Sequence, residues 1–393
     1  MTTDFYPPYH IGGDATHVQW LAEELARQGH EAHVMFSLDA YELKKGRIAA
    51  LSFEPSPVHL QPLRSPKGRA EMPLVYLLGK SPYFSREFER LIEEVSPDVV
   101  HHHSISLLGY DLLRKRGSYL NIYTAHSYWL ACQLSRLFKG GKTCQDNSFC
   151  TLCALRSHRP PQLWRRQEAF TRAVRDVDLA IAPSNYVRRT LSEKTGLPLV
   201  TLPNFVPHPP EDITPSGFSD YFLYVGVLES HKGITELVKL FKDHWREIGA
   251  RLLVAGSGPL ERRLQIYVKK SGLEDIVHFM GWCDQSNLYS LYRDAYALVI
   301  PSLWPENAPL VALEALSVGT PVVASNMGGL PEIAALQGEG FVCDPDHLKD
   351  TLISVRDASP DRQQMRDLYQ RHFSPERFLS RYLELIMERR FAK

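Results

Sequence analysis

ALVIPSLWPENAPLVALEALSVGTPVVA, residues 297–324, spells out one strand–loop–helix–strand unit. Ala297 to Ile300 reads as a short buried strand that runs into Pro301-Ser302. Pro309 suits the first helical position and Gly319 the terminator, and Pro321 to Ala324 reads as the next strand. Glu306 therefore falls in the loop ahead of a helix, and Glu314 falls on the helix itself. The helix start presents free backbone N–H groups from the Asn307, Ala308, Pro309 and Leu310 region, which attract an anion such as a diphosphate. A helix rises about 12 Å over eight residues, so the two carboxylates mark the ends of a ruler. Leu310, Val311, Leu313 and Leu316 bury the helix, and a buried carboxylate needs a partner.

The same alternation extends in both directions. On its N-terminal side, within the second half, it gives strands at Tyr221 to Val227, Arg251 to Ala255 and Val277 to Phe279, with a helix from Lys232-Gly233 through Phe241. In the first half, His17 to Gln28 reads as a helix with Val18, Leu21 and Leu25 on one face, ended by Gly29. Strands follow at Glu31 to Ser37, Asp98 to His101, Asn121 to Thr124 and Leu179 to Ala182. Strands alternating with helices give an α/β chain with parallel sheets. Leu202-Pro203-Asn204-Phe205 and Pro207-His208-Pro209-Pro210 form a proline-rich linker between the halves. We expect one domain over 1–205 and a second over 206–374, with 375–393, including the helix Glu376 to Arg390, packing back on the first. The start is anomalous. Only Met1 to Thr3 precede the loop Asp4-Phe5-Tyr6-Pro7-Pro8, whereas strands usually run about five or six residues. Either the true start lies upstream or the first strand is very short.

A chain of 393 residues suits two domains, and 44% hydrophobic with 23% charged residues is a globular mixture. Lys plus Arg and Asp plus Glu both number 45, which argues against a general nucleic-acid binder. No apolar stretch is long enough to span a bilayer, and Met1 leads straight into Thr2-Thr3-Asp4, so a cytoplasmic protein is expected.

Taken in order, Gly12-Gly13, His126, Pro183-Ser184, Pro203-Asn204, Gly226, Lys232-Gly233, Gly256-Ser257-Gly258, Glu306 to Glu314 and Gly328-Gly329-Leu330-Pro331-Glu332 resemble glycosyltransferase family 4. The resemblance covers almost the whole chain. It implies the GT-B fold, two facing Rossmann-like domains with a cleft between them. It also implies a retaining, metal-independent transfer from a nucleotide-diphosphate-sugar to a hydroxyl acceptor, with no cofactor. By that resemblance Glu306 holds the donor sugar hydroxyls, Glu314 the ribose hydroxyls, and Lys232 neutralises the diphosphate. Gly12 and Gly13 let the backbone approach the phosphates, and His126 lies near the transferred sugar. Gly226, Ser257-Gly258 and Met280-Gly281-Trp282 border the nucleotide. Two departures stand out: Val227 where the family commonly has an arginine, and Asn204-Phe205 where it often has Asn-Gly. A sugar-nucleotide epimerase of the same fold and a catalytically silent binding partner are the alternatives.

Cys132, Cys144, Cys150 and Cys153 fall within 22 residues. Their spacing suits a structural zinc or iron centre, with free thiols or disulfides as the other readings. His101-His102-His103 ends a strand, where side chains alternate between faces, so it is not expected to bind metal. Arg156, Arg159, Arg165, Arg166, Arg172 and Arg175, with Trp164 and Phe170 between them, form either a solvated face or a peripheral contact with anionic lipid. The expected acceptor is a sugar or a lipid-linked sugar, since acceptors of related enzymes are often lipid-linked.

Overall fold

The computed structural model describes residues 1–139, 142–144 and 150–391. The chain divides into two compact units: Met1–Leu137 with Cys144–Leu202 and Leu379–Lys393, and Phe138–Thr143 with Pro203–Phe378. Apart from the short segment Phe138–Thr143, the chain passes to the second unit after Leu202, and the C-terminal segment from Leu379 counts with the first unit.

The first unit is built on a parallel sheet of β1 (Thr2–Thr3), β2 (His33–Ser37), β3 (His59–Leu63), β4 (Val99–His102) and β5 (Leu120–Thr124). After the short antiparallel pair β6 (Phe138–Lys139) and β7 (Lys142–Thr143), it is completed by β8 (Leu179–Ala182) and β9 (Leu199–Thr201). The spatial order is β3-β2-β1-β4-β5-β8-β9. The two residues of β1 pair with β2 on one side and β4 on the other. Strands β3 and β9 have no counterpart in the sequence expectations. Both lie at sheet edges, where a weak apolar pattern suffices.

The second unit carries β10 (Tyr221–Val225), β11 (Arg251–Ala255), β12 (Val277–Gly281), β13 (Leu298–Ile300), β14 (Val322–Ser325) and β15 (Val342–Cys343), ordered β12-β11-β10-β13-β14-β15. Strands β10, β11 and β13 are buried almost throughout, as parallel strands covered on both faces must be. The helix Ile234–Ile248 covers one face with Ile234, Leu237, Val238 and Phe241.

Both sheets reverse strand order in the middle, between β1 and β4 and between β10 and β13. Loops leaving the C-terminal ends of the two central strands diverge there and open a crevice, the usual ligand position in such sheets. In the second unit those loops carry Lys232 and Glu306. In the first they carry Gly12-Gly13 and Ser104.

Candidate active site

In the second unit, β13 ends at Ile300, and the chain turns through Ser302 to Glu306 before the helix Leu310–Ser317 begins. Pro309 is the N-cap, with ψ 129°, rather than the first helical residue. Glu314 therefore lies only in the second helical turn, and an uninterrupted eight-residue helical rise does not separate it from Glu306. The loop is held from several sides. Glu306 forms a bridge with Gly328, and Gly329 N donates to Glu306 O at 2.7 Å. A Cβ at Gly328 would collide with the Glu306 backbone, so the Gly328-Gly329 pair is a steric requirement of this site. Asn204 Nδ2 donates to Ala308 O at 3.1 Å, bracing the segment just ahead of the helix.

Glu306 is 6% exposed. Its Oε1 accepts from Lys232 Nζ at 2.7 Å and from Ser302 Oγ at 2.9 Å. Lys232 also lies over the Trp304 ring. Its placement depends on Gly233, at φ +75°, where the loop presses against the Pro301 carbonyl. Leu303 N donates to His231 O and ties the two loops together. Glu314 is 7% exposed, accepting from Gln285 Nε2 at 3.2 Å and from Tyr292 Oη at 3.0 Å. Burial pushes its carboxyl up to about 7, against the pull of the Tyr292 hydroxyl. Gly226 and Gly258 lie where the loops after β10 and β11 meet, with Leu228 N donating to Ser257 O. Val227 is half exposed and brings no charge. Phe205, the other departure, is buried and packs on Phe378.

In the first unit, Gly12 caps the helix Gly13–Arg27, which starts four residues earlier than expected. Its first turn carries Asp14, so a carboxylate already lies at this helix end. Asp14 Oδ2 accepts from Ser104 Oγ, and the buried Asp4 accepts from Ser106 Oγ and Leu107 N. Burial pushes Asp4 up to about 7. His126 Nε2 lies 2.9 Å from His103 Nδ1, and His17 stacks edge-on against His126. Sequence reasoning missed Asp4, Asp14, His17 and His103. The alternation of His101 and His103 about His102 was the available signal, since it points two of the three to one face.

No disulfide links the four cysteines, and a structural metal set at Cys132, Cys144, Cys150 and Cys153 stays a proposal. Cys150 is raised first by burial and then by Cys132, Cys144 and Cys153, so the four are neighbours. Among the described residues, however, the group whose ligand atoms gather within 4.8 Å is Glu31, His33 and His59. Residues 145–149, between Cys144 and Cys150, lie outside the described residues. In the arginine segment, Arg165 alone departs from both a solvated and a lipid-facing position. Arg165 turns inward over Trp164, donating to Trp129 O, and Trp164 and Phe170 are buried. A tightly packed aromatic cluster claims all three. The exposed apolar residues nearby are Leu163, Leu152, Leu155 and, on the helix Glu71–Leu78, Leu74, Leu77 and Leu78.

Comparison with known proteins adds the family. Residues 11–208 match the family described as Glycosyltransferase Family 4, and residues 212–371 match Glycosyl transferases group 1. A stretch of 119 residues is 38% identical to an uncharacterized glycosyltransferase of Methanocaldococcus jannaschii, covering 30% of each chain. A stretch of 144 residues is 36% identical to glycogen synthase of Mycobacterium tuberculosis, covering 35% of this chain and 34% of that one. The chain thus matches about a third of the length of these relatives. A second uncharacterized glycosyltransferase of Methanocaldococcus jannaschii is 25% identical over 360 residues, 90% of this chain and 87% of that one. Among solved structures, sucrose-phosphate synthase from Thermosynechococcus elongatus superposes with a TM-score of 0.73 at 20% identity, covering 100% of this chain and 99% of that chain. The Anabaena HepE structure in complex with UDP gives 0.65 at 14% identity, covering 98% and 99%. These likenesses give the fold as GT-B. Two parallel sheets of this order, glycine-pinned loops around Glu306 and matches running from residue 11 to residue 371 have one common explanation: the chain belongs to glycosyltransferase family 4.

Proposed function

We propose that the protein is a retaining glycosyltransferase that moves a sugar from a nucleotide-diphosphate-sugar to a hydroxyl acceptor, without a metal in the transfer step. The observation that carries this reading is the Lys232–Glu306 pair at the strand-order reversal of the second unit, just ahead of the helix Leu310–Ser317. Lys232 has three donors, and one is used on Glu306. The other two, with the backbone N–H groups of Ala308 and Leu310, suit a diphosphate. Glu306 spends Oε1 on Lys232 and Ser302, which leaves Oε2 for the sugar hydroxyls. Glu314 serves the ribose. Gly226 and Gly258 border the nucleotide, Gly12 and Gly13 the phosphates, and His126 serves the transferred sugar.

The anomeric carbon–phosphate oxygen bond breaks as the bond to the acceptor oxygen forms on the same face. The acceptor proton passes to an oxygen of the leaving diphosphate. In this scheme the protein contributes charge stabilisation by Lys232 and the helix end, and orientation by Glu306. The acceptor is a sugar or lipid-linked sugar, presented at a membrane surface by the exposed leucines and arginines of the first unit.

Glu306→Ala and Lys232→Ala are expected to abolish transfer, measured with UDP-, GDP- and ADP-sugars that raise the melting temperature, while circular dichroism stays native. Wild-type turnover in either variant would remove the assignment. The anomeric coupling constant of the product tests retention. Val227, which leaves the site without the family's usual arginine, favours a second reading as a donor-binding partner without turnover. Donor binding with neither transfer nor hydrolysis would select it.

A further inference from the structure

The end of β4 places three histidines at the reversal point of the first sheet, and the proposed reaction uses none of them. His102 faces one way and bonds Thr2 Oγ1 at 2.7 Å. His101 and His103 face the other. His101 is fully engaged, with Nδ1 2.9 Å from Tyr382 Oη and Nε2 2.7 Å from Thr124 Oγ1. His103 is different. It is 1% exposed, its Nδ1 lies 2.9 Å from His126 Nε2, and its Nε2 is buried with no hydrogen-bond partner among the described residues.

That asymmetry fixes where the protons are. Burial lowers the proton affinity of both rings, that of His103 well below the usual histidine range, so each is neutral near pH 7 and holds one proton. A contact of 2.9 Å between two ring nitrogens contains one proton. If it sits on His126 Nε2, His103 must carry its own proton on Nε2, as a buried N–H without an acceptor. If it sits on His103 Nδ1, only a lone pair is buried at Nε2. An orphaned N–H is the rarer of the two defects. In the favoured arrangement His103 donates, His126 Nε2 accepts, and His126 keeps its single proton on Nδ1.

We propose that His103 is a positioning residue that holds His126 as the Nδ1–H tautomer, so that His126 meets an oxygen of the transferred sugar as a hydrogen-bond donor. The inference rests on the role given to His126 under Proposed function, and it sharpens that role. Neutral His126 with its proton on Nδ1 and its Nε2 occupied has no lone pair left to take the acceptor's proton. It orients the sugar, and the proton goes to the departing diphosphate.

The test is a long-range proton–nitrogen spectrum of protein labelled with 15N-histidine, with His126 identified by its loss in His126→Gln. The expected pattern between pH 7 and 8 is a protonated Nδ1 and a pyridine-type Nε2. A protonated Nε2 in the wild-type protein overturns the proposal. His103→Asn retains a donor in place of Nδ1, whereas His103→Asp offers only acceptors. Asp is expected to move the His126 proton to Nε2 and to lower kcat about tenfold or more, the scale of one lost hydrogen bond to a reacting group, with donor KM little changed. Asn is expected to retain most of the rate that Asp loses. Equal rates in the two variants would sink the positioning role. Full transfer by His126→Gln would instead remove the sugar contact from the proposed function, while the spectrum still decides the tautomer.

Discussion

Gly233 shows how much of the site depends on one missing side chain. It lies at φ +75°, and a Cβ would run into the Pro301 carbonyl, so the loop bearing Lys232 sits against the end of β13 only because nothing projects there. Gly233→Ala combines left-handed strain of about 1–2 kcal/mol with a backbone collision of about 1–3 kcal/mol. We expect a loss of about 2–5 kcal/mol in urea unfolding, together with loss of transfer. Gly272 is the control: φ is +62° with nothing within 4 Å, so alanine there costs only the strain, about 1 kcal/mol. Glu314 gives a pH prediction. Its carboxyl titrates at about 7 in the folded protein against a reference value of 4.5. Below the lower value both states hold the proton, and burial costs nothing. As pH rises toward 7 the unfolded chain sheds its proton first, so stability falls, by about 3 kcal/mol at about 1.36 kcal/mol per pH unit. Glu314→Gln should therefore match the wild type in stability at pH 4 and exceed it by up to about 3 kcal/mol at pH 8, while binding the nucleotide less tightly. A variant with the wild-type pH slope would show that Glu314 does not titrate there.

At the level of elements, the helix Leu310–Ser317 is held at its start by contacts from outside itself. Asn204, at the entry to the second unit, donates to Ala308 O. Asn204→Ala should cost about 1 kcal/mol in stability, and calorimetry should show donor affinity falling several-fold because the N–H cradle loosens. Wild-type affinity would mean that the loop holds without this brace. The sequence made this helix legible because Pro309, Gly319 and the apolar run coincide. It hid the N-cap role of Pro309, because proline at the N-cap and proline at the first turn look alike without ψ. The strands β10, β11 and β13 were legible for a related reason: burial on both faces writes a continuous apolar run. β1 was only half legible, since its two residues are defined by their neighbours rather than by any pattern of their own. The histidine contacts could not be read from sequence, because His103 and His126 are 23 residues apart and meet only through the β4–β5 register.

Over the whole molecule the formal charge is zero, with 45 basic and 45 acidic residues, so attraction to an anionic surface has to come from a local field. The first unit supplies one. Arg156, Arg159, Arg166, Arg172 and Arg175 are exposed, although Glu168 neutralises part of Arg172. The exposed leucines of 74–78 belong to the helix Glu71–Leu78, which packs on the turn Leu163–Arg166. Arg166 in turn donates to Thr151 on the helix bearing Leu152 and Leu155. The apolar and basic residues thus form one connected surface, and no helix among the described residues is long and apolar enough to cross a membrane. In the proposed membrane contact, such a surface would lie on a bilayer rather than span it. Each basic residue near an anionic leaflet contributes about 1 kcal/mol, and each leucine transferred into the interface adds apolar burial. Sedimentation with vesicles should therefore show binding to phosphatidylglycerol-containing vesicles, loss of most of it in high salt, and little binding to pure phosphatidylcholine. Leu77→Ser with Leu78→Ser should weaken binding in low salt without changing its salt dependence, whereas Arg156→Gln with Arg159→Gln should reduce that dependence. Equal binding to both vesicle types would sink the electrostatic part of the argument. With a water-soluble acceptor, all four substitutions should leave turnover intact, because none of these residues belongs to the proposed transfer machinery.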